Sequence, residues 1–388
     1  MIKLSDSTWG QEEILAISDC LNSDELTMGR RVKEFETSFA QYIGTKFAVM
    51  LNSGSSANLL AANALSVINK PSFPKNIVIV PSVSWSTTYF PWIQNGFRLK
   101  FVDINVNTYN LDLEKLSESI DENCIGICVP HILGCDAGID EILNIATSKN
   151  LWVVEDTCES LGATTTNRQF LGSKGIFGTF SFFRSHHICT MEGGMITTNN
   201  VEHYHLLRSL RAHGWSRDIP ESKLLGNSEN DIWADKFKFY LPGYNLRPLE
   251  MSGAIGIKQL EKLDNFIALR RENAEFLIRQ LSLNTNFKIQ EQGRFGSWMT
   301  FALTIQNNDI NRKELLKELE LKGYETRPIV SGNFVKQPVI EKIKDYCIFA
   351  ESYQHAEYID QKGFMIANHG KDLTKELNIF SDILNNYA

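Results

Sequence analysis

The segment Ser181–Gly194 reads SFFRSHHICTMEGG, with two adjacent histidines five and six residues after a serine and a Gly-Gly pair at its end. An imidazole titrates near neutral pH and suits general acid or base work. A hydroxyl five residues from it can hold the other end of the same ligand. A packed strand end beside solvent would also show paired histidines, so other residues must decide. Asn52-Ser53-Gly54-Ser55-Ser56-Ala57 follows a short apolar run and opens a helical pattern. Free N–H groups at a helix N-terminus, with Gly54 and Ser55 small enough for close approach, make an anion site. The same residues also make an ordinary serine cap. Asp156 ends the apolar run LWVVED, at the strand end where ligands of open α/β sheets gather. A carboxylate there pairs with a protonated ring nitrogen or caps the next helix, and Glu159 lies three residues on. Trp85, in SVSWSTT, offers a flat face for a ring or fills a core.

Together these parts describe one ligand: a phosphate at Gly54, Ser55 and Ser181, a pyridinium nitrogen at Asp156, and a stacking face at Trp85. That ligand is pyridoxal 5′-phosphate, or its amine form pyridoxamine 5′-phosphate. Proteins that bind it normally supply an acidic partner for the ring nitrogen and a lysine that links to the aldehyde. The acid is present and the lysine is missing. Lys174 stands twelve residues ahead of His186, in a different loop.

Over almost its whole length the chain resembles the sugar-nucleotide aminotransferases of fold type I. The resemblance is carried by NSGSSANLL, PSVSWSTTYFP, VVEDTCESLGA, GTFSFF with EGG, RAHGW and PGYNLRPLEMSGAIG. It implies an α/β chain of the PLP-dependent transferase fold type I, aspartate aminotransferase-like. Such a chain has a large domain with a mainly parallel mixed sheet and a smaller C-terminal α/β domain. In that family the cofactor lysine lies five residues after the phosphate-binding serine, which is the place of His186. The exchange for histidine is similar to one subgroup, the pyridoxal-phosphate sugar 3-dehydratases, and SHHI, RAHGWSR and RPIVSGNF look specific to it.

The resemblance implies roles and partners. His186 becomes the catalytic base and acid, while the cofactor stays untethered. Asp156 keeps the ring nitrogen protonated, and Glu159 sits near the ring hydroxyl. Asn245, in PGYNLRP, reaches the phosphate of a partner chain, so a homodimer with shared active sites is expected. His213, Arg217 and Arg327 are expected in the substrate pocket, where a guanidinium suits carboxylate or diphosphate oxygens; the two arginines also suit surface salt bridges. The implied substrate is a GDP-linked 4-keto-6-deoxy sugar, with L-glutamate as amino donor. The implied products are a 4-keto-3,6-dideoxy sugar, ammonia and 2-oxoglutarate. Three rival readings share parts of this pattern. A conventional sugar aminotransferase needs a lysine at position 186. The CDP-linked iron–sulfur dehydratases need four cysteines in a set pattern, which the seven here do not form. A catalytically silent relative would keep the cofactor residues and lose the chemistry.

The elements that must position these residues are legible in the apolar pattern. FAVML, NIVIV, LKFVDI, CIGICV and LWVVED alternate with helical stretches, which implies a mainly parallel sheet covered on both faces. The stretch ahead of Phe47 is helical, and GTFSFF and GMITT flank the histidines as two strands. Pro248 to Leu281 is one long helix, and WMTFALTI, NRKELLKELELKG and ETRPIV belong to a smaller unit. The expected division is residues 1–250 and 251–388. With 43% hydrophobic and 22% charged residues the composition is that of a soluble globular chain. The net charge of −7 argues against general affinity for nucleic acid or anionic membrane. The longest apolar runs fall far short of a membrane span, and MIKLSDSTWGQEE has no leader pattern. The seven cysteines are irregularly spaced, with no zinc-type pair, and read as reduced thiols of a cytoplasmic protein. No metal site is expected.

Overall fold

The computed structural model describes residues 2–215 and 237–387. Two helices come first, α1 (Gln11–Asn22) and α2 (Arg30–Ile43). Strands and helices then alternate: β1 (Phe47–Leu51), α3 (Gly54–Asn69), β2 (Ile77–Pro81), α4 (Ser86–Gln94), β3 (Arg98–Val102), α5 (Leu113–Ser119), β4 (Cys124–Pro130), α6 (Ile139–Ser148) and β5 (Trp152–Asp156). Next are β6 (Phe177–Ser181), β7 (Gly194–Thr198), α7 (Val201–Arg211) and the long α8 (Glu250–Gln280). The remainder holds β8 (Phe287–Ile289), β9 (Thr300–Ile305), α9 (Arg312–Leu321), β10 (Thr326–Arg327), β11 (Cys347–Ile348), α10 (Gln354–Lys362), β12 (Gly363–Ala367) and α11 (Thr374–Asn385).

The large sheet runs β1-β7-β6-β5-β4-β2-β3-β11. β7 is antiparallel to both β1 and β6, and the other pairings are parallel. Side chains of a strand alternate between faces, and β2 uses both. Val78 and Val80 join a core with Leu60, Leu65 and Leu206 from α3 and α7. Ile77 and Ile79 join the opposite core with Leu116 and Ile142 from α5 and α6. Hence the unbroken apolar run, which a one-sided sheet would not need. β1, β2, β4, β5 and β6 all point the same way, so their carboxyl ends meet at one edge.

The second sheet, β10-β12-β9-β8, is antiparallel throughout. ETRPIV yields only the two-residue strand Thr326–Arg327, because Pro328 has no N–H to offer a ladder. Helix α8 serves both layers. Leu263 and Ile267 about its middle pack with Phe35, Phe39 and Phe180. Ala274 and Leu277 in its second half pack with Phe301, Phe364 and Phe380. The division expected after residue 250 therefore falls at the start of a helix shared by two cores. The chain also crosses elsewhere: Ile2 bridges Tyr324, and β11 pairs with β3 of the large sheet. Among the described residues no helix is long and apolar enough to cross a membrane.

Glu250 ties α8 to α2. The N-cap of α2 is Gly29, which has no side chain to cap with. The buried Glu250 carboxylate accepts the N–H groups of Gly29 (2.6 Å), Arg31 (2.5 Å) and Val32 (3.3 Å) instead, where a negative charge is favoured. One and two turns on, Gly253 and Gly256 let the helices close. A Cβ on Gly253 would lie 2.7 Å from the Val32 backbone, and one on Gly256 would lie 2.4 Å from the Phe35 ring. Alanine gains about 1 kcal/mol over glycine inside a helix, but overpacking against backbone costs about 1–3 kcal/mol. Gly253→Ala is expected to lower stability in urea unfolding; a more stable variant would contradict this contact.

Candidate active site

The carboxyl ends of β1, β2, β4, β5 and β6 surround a cavity of about 410 Å³. On one wall the start of α3 lies against the end of β6. A Cβ on Gly54 would sit 2.5 Å from Ser181 Cβ and 2.9 Å from Cys158 Sγ, so only glycine permits this approach. Ser53 caps the helix, its Oγ accepting the N–H of Ser56 at 3.1 Å. The N–H groups of Gly54 and Ser55 have no intrahelical acceptor. Ser55 Oγ lies 2.9 Å from Thr87 Oγ1, which joins this helix start to that of α4. Trp85, the N-cap of α4, is 57% exposed and lines the cavity. Two helix N-termini and the Ser181 hydroxyl thus converge, which suits an anion with several oxygens.

The opposite wall is acidic. Asp156 Oδ2 accepts hydrogen bonds from Asn58 Nδ2 and Thr88 Oγ1, both at 2.8 Å, and Oδ1 accepts the N–H of Cys158 at 3.2 Å. Ser84 lies 2.9 Å from Thr88, and Thr179 Oγ1 donates to Asn58 Oδ1 at 2.6 Å. Asp156 is 6% exposed, and among the described residues no lysine or arginine pairs with it. A buried carboxylate held in place without a cation awaits one. Glu159 accepts a single bond, from the N–H of Leu133 at 2.9 Å. Burial, with the charge of Asp156 adding to it, raises its pKa to about 7.

His186 stands in the loop between β6 and β7. Its Nδ1 is 2.6 Å from the carbonyl oxygen of Cys158. A carbonyl oxygen only accepts, so Nδ1 carries the hydrogen and Nε2 keeps its lone pair. Burial lowers the pKa to about 4, so the ring is neutral at pH 7 and its Nε2 is a base. His187 does not share the site. It is fully buried, with Nε2 at 3.3 Å from the carbonyl of Ser297 and no partner for Nδ1. His131 lines the cavity. Its Nδ1 accepts the N–H of Ala137 at 3.1 Å, so its Nε2 donates to Glu155 at 3.2 Å.

The cavity brings together Gly54, Ser55, Trp85, Asp156, Glu159, Ser181 and His186. It does not include His213, Asn245 or Arg327, which are exposed. Asn245 Oδ1 accepts from Arg247 at 2.9 Å. Arg327 is in register with Met365, a lining residue, one strand removed from the rim. Arg217 lies outside the described residues. Sequence reasoning missed Asn58, Thr88 and His131. Asn58 had a signal: a polar residue inside ANLLAANAL, where a buried amide needs partners.

A family model for the DegT/DnrJ/EryC1/StrS aminotransferases matches residues 7–376. The chain belongs to that family. Over 384 residues it is 46% identical to GDP-4-keto-6-deoxy-D-mannose 3-dehydratase of Yersinia pseudotuberculosis, covering 98% of this chain and 97% of that protein. Its structure matches that of the Escherichia coli GDP-4-keto-6-deoxy-D-mannose-3-dehydratase with bound hydrated PLP, with TM-score 0.94, 43% identity and 99% of each chain covered. It matches equally, with TM-score 0.94 and 43% identity over 99% of this chain and 100% of the other, a GDP-4-keto-6-deoxymannose-3-dehydratase with a trapped PLP-glutamate geminal diamine. The expected fold type I architecture is therefore the one this DegT/DnrJ/EryC1/StrS member adopts.

Glu159 gives a test free of turnover. Its folded pKa of about 7 lies above that of an unfolded glutamate. The native state thus keeps a proton that the unfolded chain releases, and stability falls as pH rises through 7. Glu159→Gln mimics the protonated form and keeps an acceptor for Leu133. It is expected to match the parent near pH 4.5 and exceed it above pH 7 by up to about 3 kcal/mol. Urea unfolding of the cofactor-free protein at both pH values checks this; a pH-independent difference would refute it.

Proposed function

We propose that this protein is a glutamate-dependent sugar-nucleotide 3-dehydratase that holds pyridoxal phosphate without a covalent bond. Its substrate is GDP-4-keto-6-deoxy-D-mannose, and its product is GDP-4-keto-3,6-dideoxy-D-mannose. The observation that carries the reading is the neutral His186, with Nε2 free, on the wall of a cavity built for an anion and a cation. The residues fit the cofactor: Gly54, Ser55 and Ser181 for the phosphate, Asp156 for the ring nitrogen, Trp85 for the ring face and Glu159 for the ring hydroxyl. When bound, the group supplies an electron sink and carries the amino group taken from glutamate.

His186 makes no covalent bond to the aldehyde. Its Nε2 instead accepts a proton from carbon and, once protonated, donates it to the hydroxyl leaving sugar C3. Cys158 keeps the ring in the tautomer this needs. Asn58 and Thr88 hold Asp156 Oδ2, so the carboxylate meets its cation in one orientation. The sum balances: the sugar exchanges its C3 hydroxyl for hydrogen, and glutamate becomes 2-oxoglutarate and ammonia. The seven cysteines are all unpaired, which supports a reducing, cytoplasmic location.

His186→Asn is expected to fold normally and to slow the reaction by about 10²–10⁴-fold. Mass spectrometry of the sugar product from GDP-4-keto-6-deoxy-D-mannose and glutamate reads the reaction type. Loss of the hydroxyl supports the proposal, and gain of an amine would assign an aminotransferase instead.

We also infer a homodimer with shared sites, supported by the exposure of Asn245 and its place outside the cavity of its own chain. Mixed dimers of His186→Asn and Asn245→Ala chains should regain activity, because one site then holds both native residues. No recovery on mixing would place Asn245 elsewhere.

A further inference from the structure

His186 borders two adjoining cavities. Behind it lies a second one of about 240 Å³, sharing Ser185 and His186 with the first. The N-terminal segment Asp6–Gly10, the start of the histidine loop, α8 and the turn after β12 enclose it. Its lining is basic: Arg184, Lys262, Arg270 and Lys371 face one acid, Asp6, and His369, whose pKa burial lowers, lies among them. Two of these cations are answered. Lys262 pairs with Glu12 at 2.9 Å and Glu13 at 2.6 Å, and Lys371 pairs with Asp6.

Arg270 is not answered. It is 2% exposed. Its Nη1 donates to the carbonyls of Met299, at 3.1 Å, and Asn368. Its Nε is buried without a partner, and among the described residues no carboxylate pairs with it. Burial lowers its pKa to about 10. Carbonyl dipoles stabilise a guanidinium only in part; a buried ion without a counter-charge carries a penalty of several kcal/mol. Arg184, exposed at the mouth, also has no carboxylate partner among the described residues. Trp9 and Phe266 supply apolar wall.

We propose that this rear cavity is a carboxylate site, with Arg270 at its base and Arg184 at its mouth. Its occupant is a carboxylate end of the amino-acid donor. The identity of the occupant rests on the function proposed above; the anion site itself does not. The volume is below the roughly 300–1,000 Å³ of pockets for drug-sized ligands, which excludes a nucleotide sugar and admits a small organic acid. A carboxylate here supplies the charge that Arg270 lacks. Because the cavity adjoins the first through His186, an acid seated in it directs its amino end toward the cofactor cavity. The donor and the sugar nucleotide then approach the reacting atoms from different sides.

Glutarate tests this, since it has both carboxylates of glutamate and no amine to react. Isothermal titration of glutarate into the cofactor-loaded protein is expected to show one site per chain. Arg184→Met should weaken it at least tenfold, and Arg270→Met should abolish it. Arg270 also braces two carbonyls, so its variant can fail to fold; Arg184 is exposed and its variant keeps the test decisive. A crystal of the loaded protein soaked in glutarate should show a carboxylate on the Arg270 guanidinium. Glutarate found only in the cofactor cavity, absent at 50-fold excess over the donor's half-saturating concentration, or bound equally by Arg184→Met would overturn the proposal. None of these outcomes touches the product analysis above, so the site and the reaction fail separately.

Discussion

One hydrogen bond decides what the active site can do: His186 Nδ1 to the carbonyl oxygen of Cys158, at 2.6 Å. The acceptor cannot donate, so the tautomer is not free to change. In the neutral ring the lone pair therefore stays on Nε2 for as long as the bond holds. The same turn that offers this carbonyl carries Asp156 two residues before it and Glu159 one after it. The His186 tautomer, the hydrogen-bonded Asp156 carboxylate and the raised Glu159 carboxyl are thus set by a single strand end. That strand, β5, is flanked by β4 and β6 in the middle of the parallel sheet, where its carboxyl end cannot shift without breaking both ladders.

The opposite side depends on the absence of an atom. Gly54 starts α3 against Ser181 and Cys158 with no room for a methyl group. This contact brings a helix N-terminus, a strand-end hydroxyl and the β5 turn to one place. A chain that holds its cofactor without a covalent link must rely on such contacts for retention. Several oriented N–H and O–H donors act together on a phosphate, and each is stronger for being aimed at a charged oxygen.

Much of this was legible in the residues. The strands appear as apolar runs because buried parallel strands need no polar face. Position 186 was found by counting from Ser181, and Asp156 from its place at a strand end. Other features were not legible because they depend on distant parts of the chain. Asn58 and Thr88 hold Asp156 from two different helices. The tautomer of His186 depends on a carbonyl 28 residues earlier. β10 stops at two residues because a proline interrupts a pattern that composition alone favours. His213, Asn245 and Arg327 carried family resemblance, yet a single chain leaves them outside its cavity.

The two carboxyl groups of the site differ in how they are held. Asp156 accepts three hydrogen bonds from the described residues. Glu159 accepts one and lies in the field of Asp156, so burial prevails and it holds its proton to about pH 7. A group that keeps its proton can donate to an oxygen on the ligand. Separation of two like groups by environment is how sites assign donor and acceptor roles. In the function proposed for this site it would orient a ring whose two polar edges differ, without a covalent tether. His186 is then free of any structural duty to the cofactor, and its lone pair is available for moving a proton.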